Sequence, residues 1–378
     1  MTDSKHTVLF LDQYGDIGGG QRILLDLVSG ARSRGLEVRL LCPVGPLAEE
    51  AARRGARVYP LSLPHVQSGR KTLRNYVRMW FFSRRVAREH QAAAEGCHLL
   101  VVNGLRLLMV ARVWGERFAL PTVLYLHGVH HGIAQWLIAS FLRRPRTAAI
   151  APSPFVAAPF IHLSNVHEIA NWVAPEFLSS PRDSLTLRRS LAITDEDPIV
   201  LVPGRLSVTK GQLLILQALA LLHDVRAHFV FAGAPLFEER GSDVETAIRR
   251  ATELEPGRVH LTHWEQPLPA LFDGADLVIV PSVWQEPFGL VALEAMARSR
   301  PLIVTDRGML PRLAGDGRFA EVVPATVEGI AGAIRCCLQD PSTCVRRAMG
   351  GRAQVEDAYH PARQMEKVFA LFDRLCHT

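Results

Sequence analysis

Two stretches of this chain put charged side chains where an open α/β sheet could use them. Residues 281–297 read PSVWQEPFGLVALEAMA. Pro287 pushes Glu286 out of the helical region, so Glu286 is expected in a loop after the apolar run LVIVPS at 277–282. A helix is expected to start at 288–290, with Leu290, Leu293, Met296 and Ala297 turned to a core. Glu294, eight residues after Glu286, then lies about one turn inside that helix. One carboxylate, a set of free helix-start N–H groups and a second carboxylate would pass the same small volume. Carboxylates accept hydrogen bonds from sugar and ribose hydroxyls, and helix-start amides suit phosphate. The plain alternative is one loop glutamate and one that merely interacts with the dipole near a helix start.

The second stretch, IVLVPGRLSVTKG at 199–211, sets Arg205 just past a strand-like run and Lys210 just before a helix. Ligands of open α/β sheets sit beyond the carboxyl ends of the strands. Two cations there, with free helix N–H groups, make a diphosphate site. Taken alone, this spacing fits a solvated loop with two surface charges equally well. The glutamate segment at a matching place in the same sheet, with Trp284 and Phe288 beside it, favours the ligand reading.

Other clusters are weaker. LHGVHHG gathers His127, His130 and His131 after a strand, but no carboxylate or cysteine completes a zinc-type ligand set, so no metal is expected. Asp195-Glu196-Asp197 has the D-x-D form of a metal–diphosphate motif, yet it stands ahead of a strand and reads as an acidic turn. The six cysteines show no C-x-x-C pair and read as reduced thiols of a cytosolic protein.

The elements that must carry these residues alternate. Strand-like runs occur at 6–12, 37–43, 98–103, 122–128 and 148–153, then at 198–204, 227–233, 258–263, 277–282 and 301–306, with helix-period segments between them. Most runs are continuously apolar, as in strands buried on both faces of a parallel sheet. Two successive sets predict two α/β domains of Rossmann type. The chain length of 378 agrees, since a single core stops growing at roughly 250–300 residues. The break is expected near 172–197, where WVAPEFLSSPRDS is rich in Pro and Ser; the domains are read as 1–175 and 176–358, with a terminal amphipathic helix at 359–378 able to pack back on the first. No run reaches ~18 uncharged apolar residues, and the N-terminus lacks a secretory pattern. The net charge of +6 suits anionic partners, while no nucleic-acid motif accompanies it.

These residues together resemble glycosyltransferase family 4, the retaining nucleotide-sugar enzymes of the GT-B fold. GRLSVTKG followed by EPFGLVALEAMA carries the likeness, and GGGQRILLDLVSGARSRGLEVRLLCP, ANWVAPEFL and PLIVTDRGMLPRLAGDG extend it over nearly the whole chain. The resemblance implies two Rossmann-like domains facing across a cleft, transfer of a hexose-type sugar to a glycan, lipid-linked or small-molecule hydroxyl, and no metal or other cofactor. It implies that Arg205 and Lys210 hold the donor diphosphate, Glu286 the transferred sugar and Glu294 the ribose. The backbone of Phe288, Gly289 and Leu290 would contact sugar and phosphates, Gly19 and Gly20 would let the first loop approach the donor, and His127 would orient it. Gln21, Trp172, Met309 and Arg312 depart from the family pattern, which usually has Glu, Gly, Gly and Glu there. The rivals are an epimerase or phosphorylase of the same fold and a silent nucleotide-sugar sensor.

Segment 70–88 has its own pattern. At ~100° per residue, Arg70, Arg74, Arg78, Arg85 and Arg88 form a basic stripe, with Leu73, Tyr76, Val77, Trp80 and Ala87 in an adjoining apolar one and Phe81 among the arginines. The expectation is a domain-one helix with its apolar stripe in the core, in a cytoplasmic protein. Its rival is a helix resting on the anionic inner face of a membrane.

Overall fold

In the computed structural model residues 6–63, 73–236, 243–263 and 268–377 are described, those at 73–79 by backbone alone. Arg70 of the basic stripe lies outside the described residues, as do the side chains of Leu73, Arg74, Tyr76, Val77 and Arg78. The chain falls into two compact units, Met1–Ala170 with Ala362–Thr378, and Asn171–Pro361.

The first unit holds a seven-stranded parallel sheet. Its strands are β1 (Thr7–Leu11), β2 (Glu37–Cys42), β3 (Arg57–Pro60), β4 (Leu99–Val102), β5 (Thr122–Tyr125), β6 (Thr147–Ala151) and β7 (Val166–Glu168), in the order β3-β2-β1-β4-β5-β6-β7. Every residue of β1, β4, β5 and β6 is buried, because helices cover both faces. Helix Gly19–Ser33 buries Ile23, Leu24, Leu27, Val28 and Ala31, the stripe its 3.6-residue period dictates. The terminal helix Pro361–His377 belongs to this unit: Arg34 lies 4.0 Å over the Phe369 ring and pairs with Glu366 at 2.6 Å.

The second unit holds a six-stranded parallel sheet of β8 (Ile199–Pro203), β9 (His228–Ala232), β10 (Val259–Thr262), β11 (Leu277–Val280), β12 (Leu302–Thr305) and β13 (Glu321–Val323), in the order β10-β9-β8-β11-β12-β13. Arg298 is the polar anchor of this unit. Its guanidinium, 1% exposed, is held by Asp273 and by the carbonyls of Phe177, Ser180 and Pro181, so the Pro/Ser-rich segment is tied to the end of helix Leu290–Ala297.

Both sheets reverse strand order in the same way. The chain runs outward from β1 through β2 to β3, then returns to β4 on the other side of β1; it does the same from β8 to β11. The crevices beyond the β1/β4 and β8/β11 ends are the switch points at which such folds bind ligands.

Three further expectations can be placed. Asp195 pairs with His228 at 2.9 Å and Asp197 with Arg226 at 3.3 Å, at the amino ends of β8 and β9 and away from the switch point, in keeping with an acidic turn. All six cysteines are free, but the sulfurs of Cys337 and Cys344 approach to 2.9 Å where helices Val327–Gln339 and Pro341–Ala358 meet. Among the described residues no helix is long and apolar enough to cross a membrane.

Candidate functional site

The site is built by three loops that leave the carboxyl ends of neighbouring strands in the second unit. After β8 the chain passes Arg205 and enters a short 3-10 turn, Val208–Lys210. Ser207 caps that turn through its hydroxyl, which accepts from the Thr209 N–H. Gly211 then turns left-handed at φ 75, and a Cβ there would fall 1.9 Å from the Pro281 carbonyl oxygen. Only glycine lets the β8 loop lie this close to the end of β11. The Thr209 carbonyl completes the contact by accepting the N–H groups of Val283 and Trp284.

This closeness delivers Lys210 to Glu286. The ammonium lies 2.5 Å from Glu286 Oε1, and the Ser282 hydroxyl donates to the same oxygen at 2.5 Å. Glu286 is buried, and burial works to raise its pKa. The Lys210 charge, the hydrogen bonds from Lys210 and Ser282, and the Arg205 charge overcome that and hold the carboxyl below its ordinary value. Glu286 therefore stays ionised at neutral pH in an enclosed place.

A third loop, after β12, buttresses Glu286 from behind. Gly308, left-handed at φ 58, packs so tightly that a Cβ would fall 2.2 Å from the Glu286 carbonyl oxygen. The Met309 N–H donates to that carbonyl at 2.9 Å, and the Gly308 N–H to Gln285 Oε1 at 2.6 Å. From here Gly289 turns the chain into helix Leu290–Ala297, on which Glu294 is buried. Trp284 is exposed, whereas the Phe288 ring is buried edge-on to Tyr359 at 5.8 Å. Phe288 thus spends its ring on the core, leaving its backbone as the part available to a ligand.

The first unit carries a second polar group at its own switch point. Asp12 follows β1, Asn103 follows β4 and His127 stands two residues past β5. Asp12 is fully buried and accepts from the Tyr14 N–H at 2.8 Å, Gln21 Nε2 at 3.0 Å and Asn103 Nδ2 at 2.6 Å. Burial pushes its pKa up to about 6 despite those bonds. Asn103 Oδ1 lies 2.6 Å from His127 Nε2, and the imidazole stacks on Tyr125 with centroids 4.7 Å apart. Burial, with His130 nearby, lowers the His127 pKa to about 4. Asp12 and Asn103 escaped the sequence reading, although each is the first polar residue after an apolar strand run.

Both halves match known families. Residues 183–354 match the profile of glycosyl transferases group 1, and residues 18–170 that of the glycosyl transferase 4-like domain. The chain belongs to the family 4-type glycosyltransferases. It is 30% identical to a Salmonella typhimurium lipopolysaccharide 1,2-N-acetylglucosaminetransferase over 44% of this chain and 46% of that protein, so it spans about half the length of this relative. It is 27% identical to a Mycobacterium tuberculosis glycogen synthase over 68% of this chain and 69% of that one. An Anabaena protein, HepE, solved with UDP and glucose, superposes with a TM-score of 0.81 at 22% identity, covering 97% of this chain and 99% of its own, which shows a shared GT-B fold.

Within this glycosyltransferase three of the four departures from the family pattern have a place in the structure. Gln21 donates to Asp12 and accepts from the Gly18 N–H at 3.2 Å. A glutamate there would set a second carboxylate against a buried one, at a cost of several kcal/mol on the order of an unpaired buried charge. Trp172 is buried in the second unit, and Met309 is buried while its backbone serves Glu286. The structure offers no reason for Arg312. Among the described residues no three His, Cys, Asp or Glu side chains gather as a metal site, His130 and His131 included.

Proposed function

We propose that this glycosyltransferase moves a hexose-type sugar from a nucleotide diphosphate to a hydroxyl acceptor, with retention of anomeric configuration and without a metal. The carrying observation is the Lys210–Glu286 pair at the β8/β11 switch point, with Arg205 close enough to act on the same carboxylate. Lys210 and Arg205 would neutralise the charge that develops on the leaving nucleotide diphosphate, the role a Lewis acid plays in metal-dependent transferases. Glu286, ionised and fixed by Ser282, would accept hydrogen bonds from the transferred sugar, and Glu294 from the ribose. Phe288, Gly289 and Leu290 would present backbone groups to sugar and phosphates. In the first unit, Gly19, Gly20 and His127 are assigned to substrate contacts, and the acceptor is expected to be a glycan, lipid-linked or small-molecule hydroxyl. HepE has been solved with UDP-glucose, so UDP-glucose is the first donor to try.

The test has three readouts. UDP-, GDP-, ADP- and dTDP-sugars are screened by thermal shift, and the donor should raise the melting temperature by mass action. Transfer should persist in excess chelator, and the anomeric proton of the product should match the donor's configuration. An inverted product or loss of turnover in chelator would overturn the corresponding half of the proposal.

One observation supports a peripheral membrane contact as well. On helix Leu73–Glu89 the apolar stripe drawn from the sequence turns Trp80 and Ala87 inward; among the side chains described at 80–89, Ala87 is buried with Ser83 and Val86, while Trp80 is 40% and Phe81 63% exposed. On that buried side Trp114 Nε1 donates to the Ala87 carbonyl at 2.9 Å. Trp80 and Phe81 stand edge to face beside Arg84, Arg85 and Arg88, a pairing suited to an anionic lipid surface. Sedimentation with anionic but not neutral liposomes is expected, and equal behaviour with both would end the idea.

A further inference from the structure

The group at the β1/β4 switch point holds more order than packing requires. Every neighbour of the Asp12 carboxylate named above is a donor: the Tyr14 N–H, Gln21 Nε2 and Asn103 Nδ2. The amide orientation of Asn103 follows from this set. Its nitrogen faces Asp12 Oδ2 at 2.6 Å and the Gly20 carbonyl at 3.4 Å, both acceptors, so its oxygen is turned to His127 Nε2 at 2.6 Å. An amide oxygen can only accept, and Nε2 must therefore carry the proton.

The remaining freedom of the ring is removed by two flat contacts. Tyr125 stacks on it with an interplanar angle of 6°. A Cβ at Gly20 would meet Cγ, Nδ1 and Cε1 of the ring, each at 3.2 Å. A side chain at residue 20 would press the imidazole aside by a few tenths of an ångström.

We propose that Asp12 and Asn103 are positioning residues that hold His127 as a neutral imidazole protonated at Nε2, presenting Nδ1 as a hydrogen-bond acceptor to a hydroxyl of the bound sugar substrate. The hydroxyl contact rests on the transferase reading above; the tautomer does not. Burial agrees with a neutral ring, since it holds His127 well below the usual imidazole range. The arrangement follows the general pattern in which the partner of one ring nitrogen sets the state of the other.

Asp12→Asn is the decisive substitution. The fixed Tyr14 N–H at 2.8 Å keeps an oxygen at the Oδ1 place, where Gln21 Nε2 also donates at 3.2 Å; Gln21 gives up its 3.0 Å bond to the Oδ2 place, and an NH2 group stands where Oδ2 now faces Asn103. Asn103 must then turn its oxygen to residue 12 and its nitrogen to His127, so Nε2 becomes the acceptor and Nδ1 takes the proton. The tautomer inverts at almost constant side-chain volume.

The full-length chain carrying nitrogen-15 histidine is studied by NMR, with His127 assigned by its loss in His127→Phe. The wild type should show Nε2 protonated and Nδ1 unprotonated, and Asp12→Asn the reverse with its melting temperature within a few degrees. UDP-glucose turnover should fall 10- to 100-fold in Asp12→Asn, and UDP-glucose should move the Nδ1 resonance of the wild type only. A wild-type ring protonated at Nδ1, or a pattern unchanged in Asp12→Asn, would overturn the proposal. So would UDP-glucose that raises the melting temperature yet leaves Nδ1 unmoved. If no nucleotide sugar raises the melting temperature, the transferase reading fails and the tautomer result is judged by itself.

Discussion

At the switch point of the first sheet a carboxylate is buried among neutral donors; at that of the second, a carboxylate equally enclosed touches an ammonium. Asp12 is surrounded by Tyr14, Gln21 and Asn103, and its pKa rises to about 6. Glu286 is buried beside Lys210, and its pKa falls. Desolvation pulls both the same way, so the partner's charge decides the sign. The first arrangement is costly to ionise and rich in directed hydrogen bonds, which suits orientation. The second keeps full charges of both signs in a half-open pocket, with Lys210 about 30% exposed, which suits an anionic ligand.

The sharpest way to break this contrast is to remove charge from the second crossing. Lys210→Ala and Glu286→Ala should each lower sugar transfer by at least ~100-fold, the scale seen when charge stabilisation or positioning is lost. Lys210→Ala also leaves Glu286 buried with only Ser282 and the more distant Arg205. Its carboxyl should then behave more like Asp12, and residual turnover should acquire an acid limb at higher pH. Steady-state rates of both variants across pH, with circular dichroism to check folding, decide the matter. Wild-type rates would remove the charge-holding role.

Much of this was legible in the residues, and what was not has a physical pattern. Ten strand-like runs correspond to β1, β2, β4, β5, β6 and β8 to β12, whose apolar character comes from cover on both faces. The three strands left unread, β3 (RVYP), β7 (VHE) and β13 (EVV), all lie at sheet edges, half-exposed and carrying charge. Edge strands need no continuous apolar run, so periodicity does not find them. At the site, Arg205, Lys210, Glu286 and Glu294 could be singled out because each stands in a recognisable string. The closeness of Lys210 to Glu286 depends on contacts across 76 residues, through Thr209, Gly211 and Gly308, which no local string records. Asp12 and Asn103 were hidden for the same reason, being joined across 91 residues.

Gly211→Ala tests whether the second crossing needs its close loop approach. The new methyl group meets the Pro281 carbonyl, and the left-handed φ is strained for alanine as well. The β8 loop must withdraw from β11, taking Lys210 from Glu286. A roughly 10-fold loss of transfer and a stability loss of about 1–3 kcal/mol are expected. Chemical denaturation and rates measured on the same preparation separate the two effects. A stable variant with unchanged rate would show that the approach is incidental.

The smallest expected effect sharpens the first crossing through the pH dependence of stability. The folded pKa of His127, about 4, lies below the ordinary imidazole value of 6.5. The stability tied to keeping this ring neutral is therefore complete above pH ~6.5 and is lost as pH falls through 4. Asp12 has the opposite sign: its carboxyl is raised, so its contribution is present below the ordinary value of 3.8 and fades as pH rises through about 6. The two slopes oppose each other in the wild type between pH 4 and 6.5. His127→Phe keeps a ring against Tyr125 and removes only the imidazole's slope, leaving that of Asp12. The variant should be less stable at pH 7, where Asn103 loses its donor. The gap from wild type should then narrow by about 1–2 kcal/mol on going to pH 4, a discounted figure because the ring is only part-buried. Urea titrations of both proteins at several pH values measure the gap, and a gap that widens toward acid would mean that His127 is not held neutral in the fold.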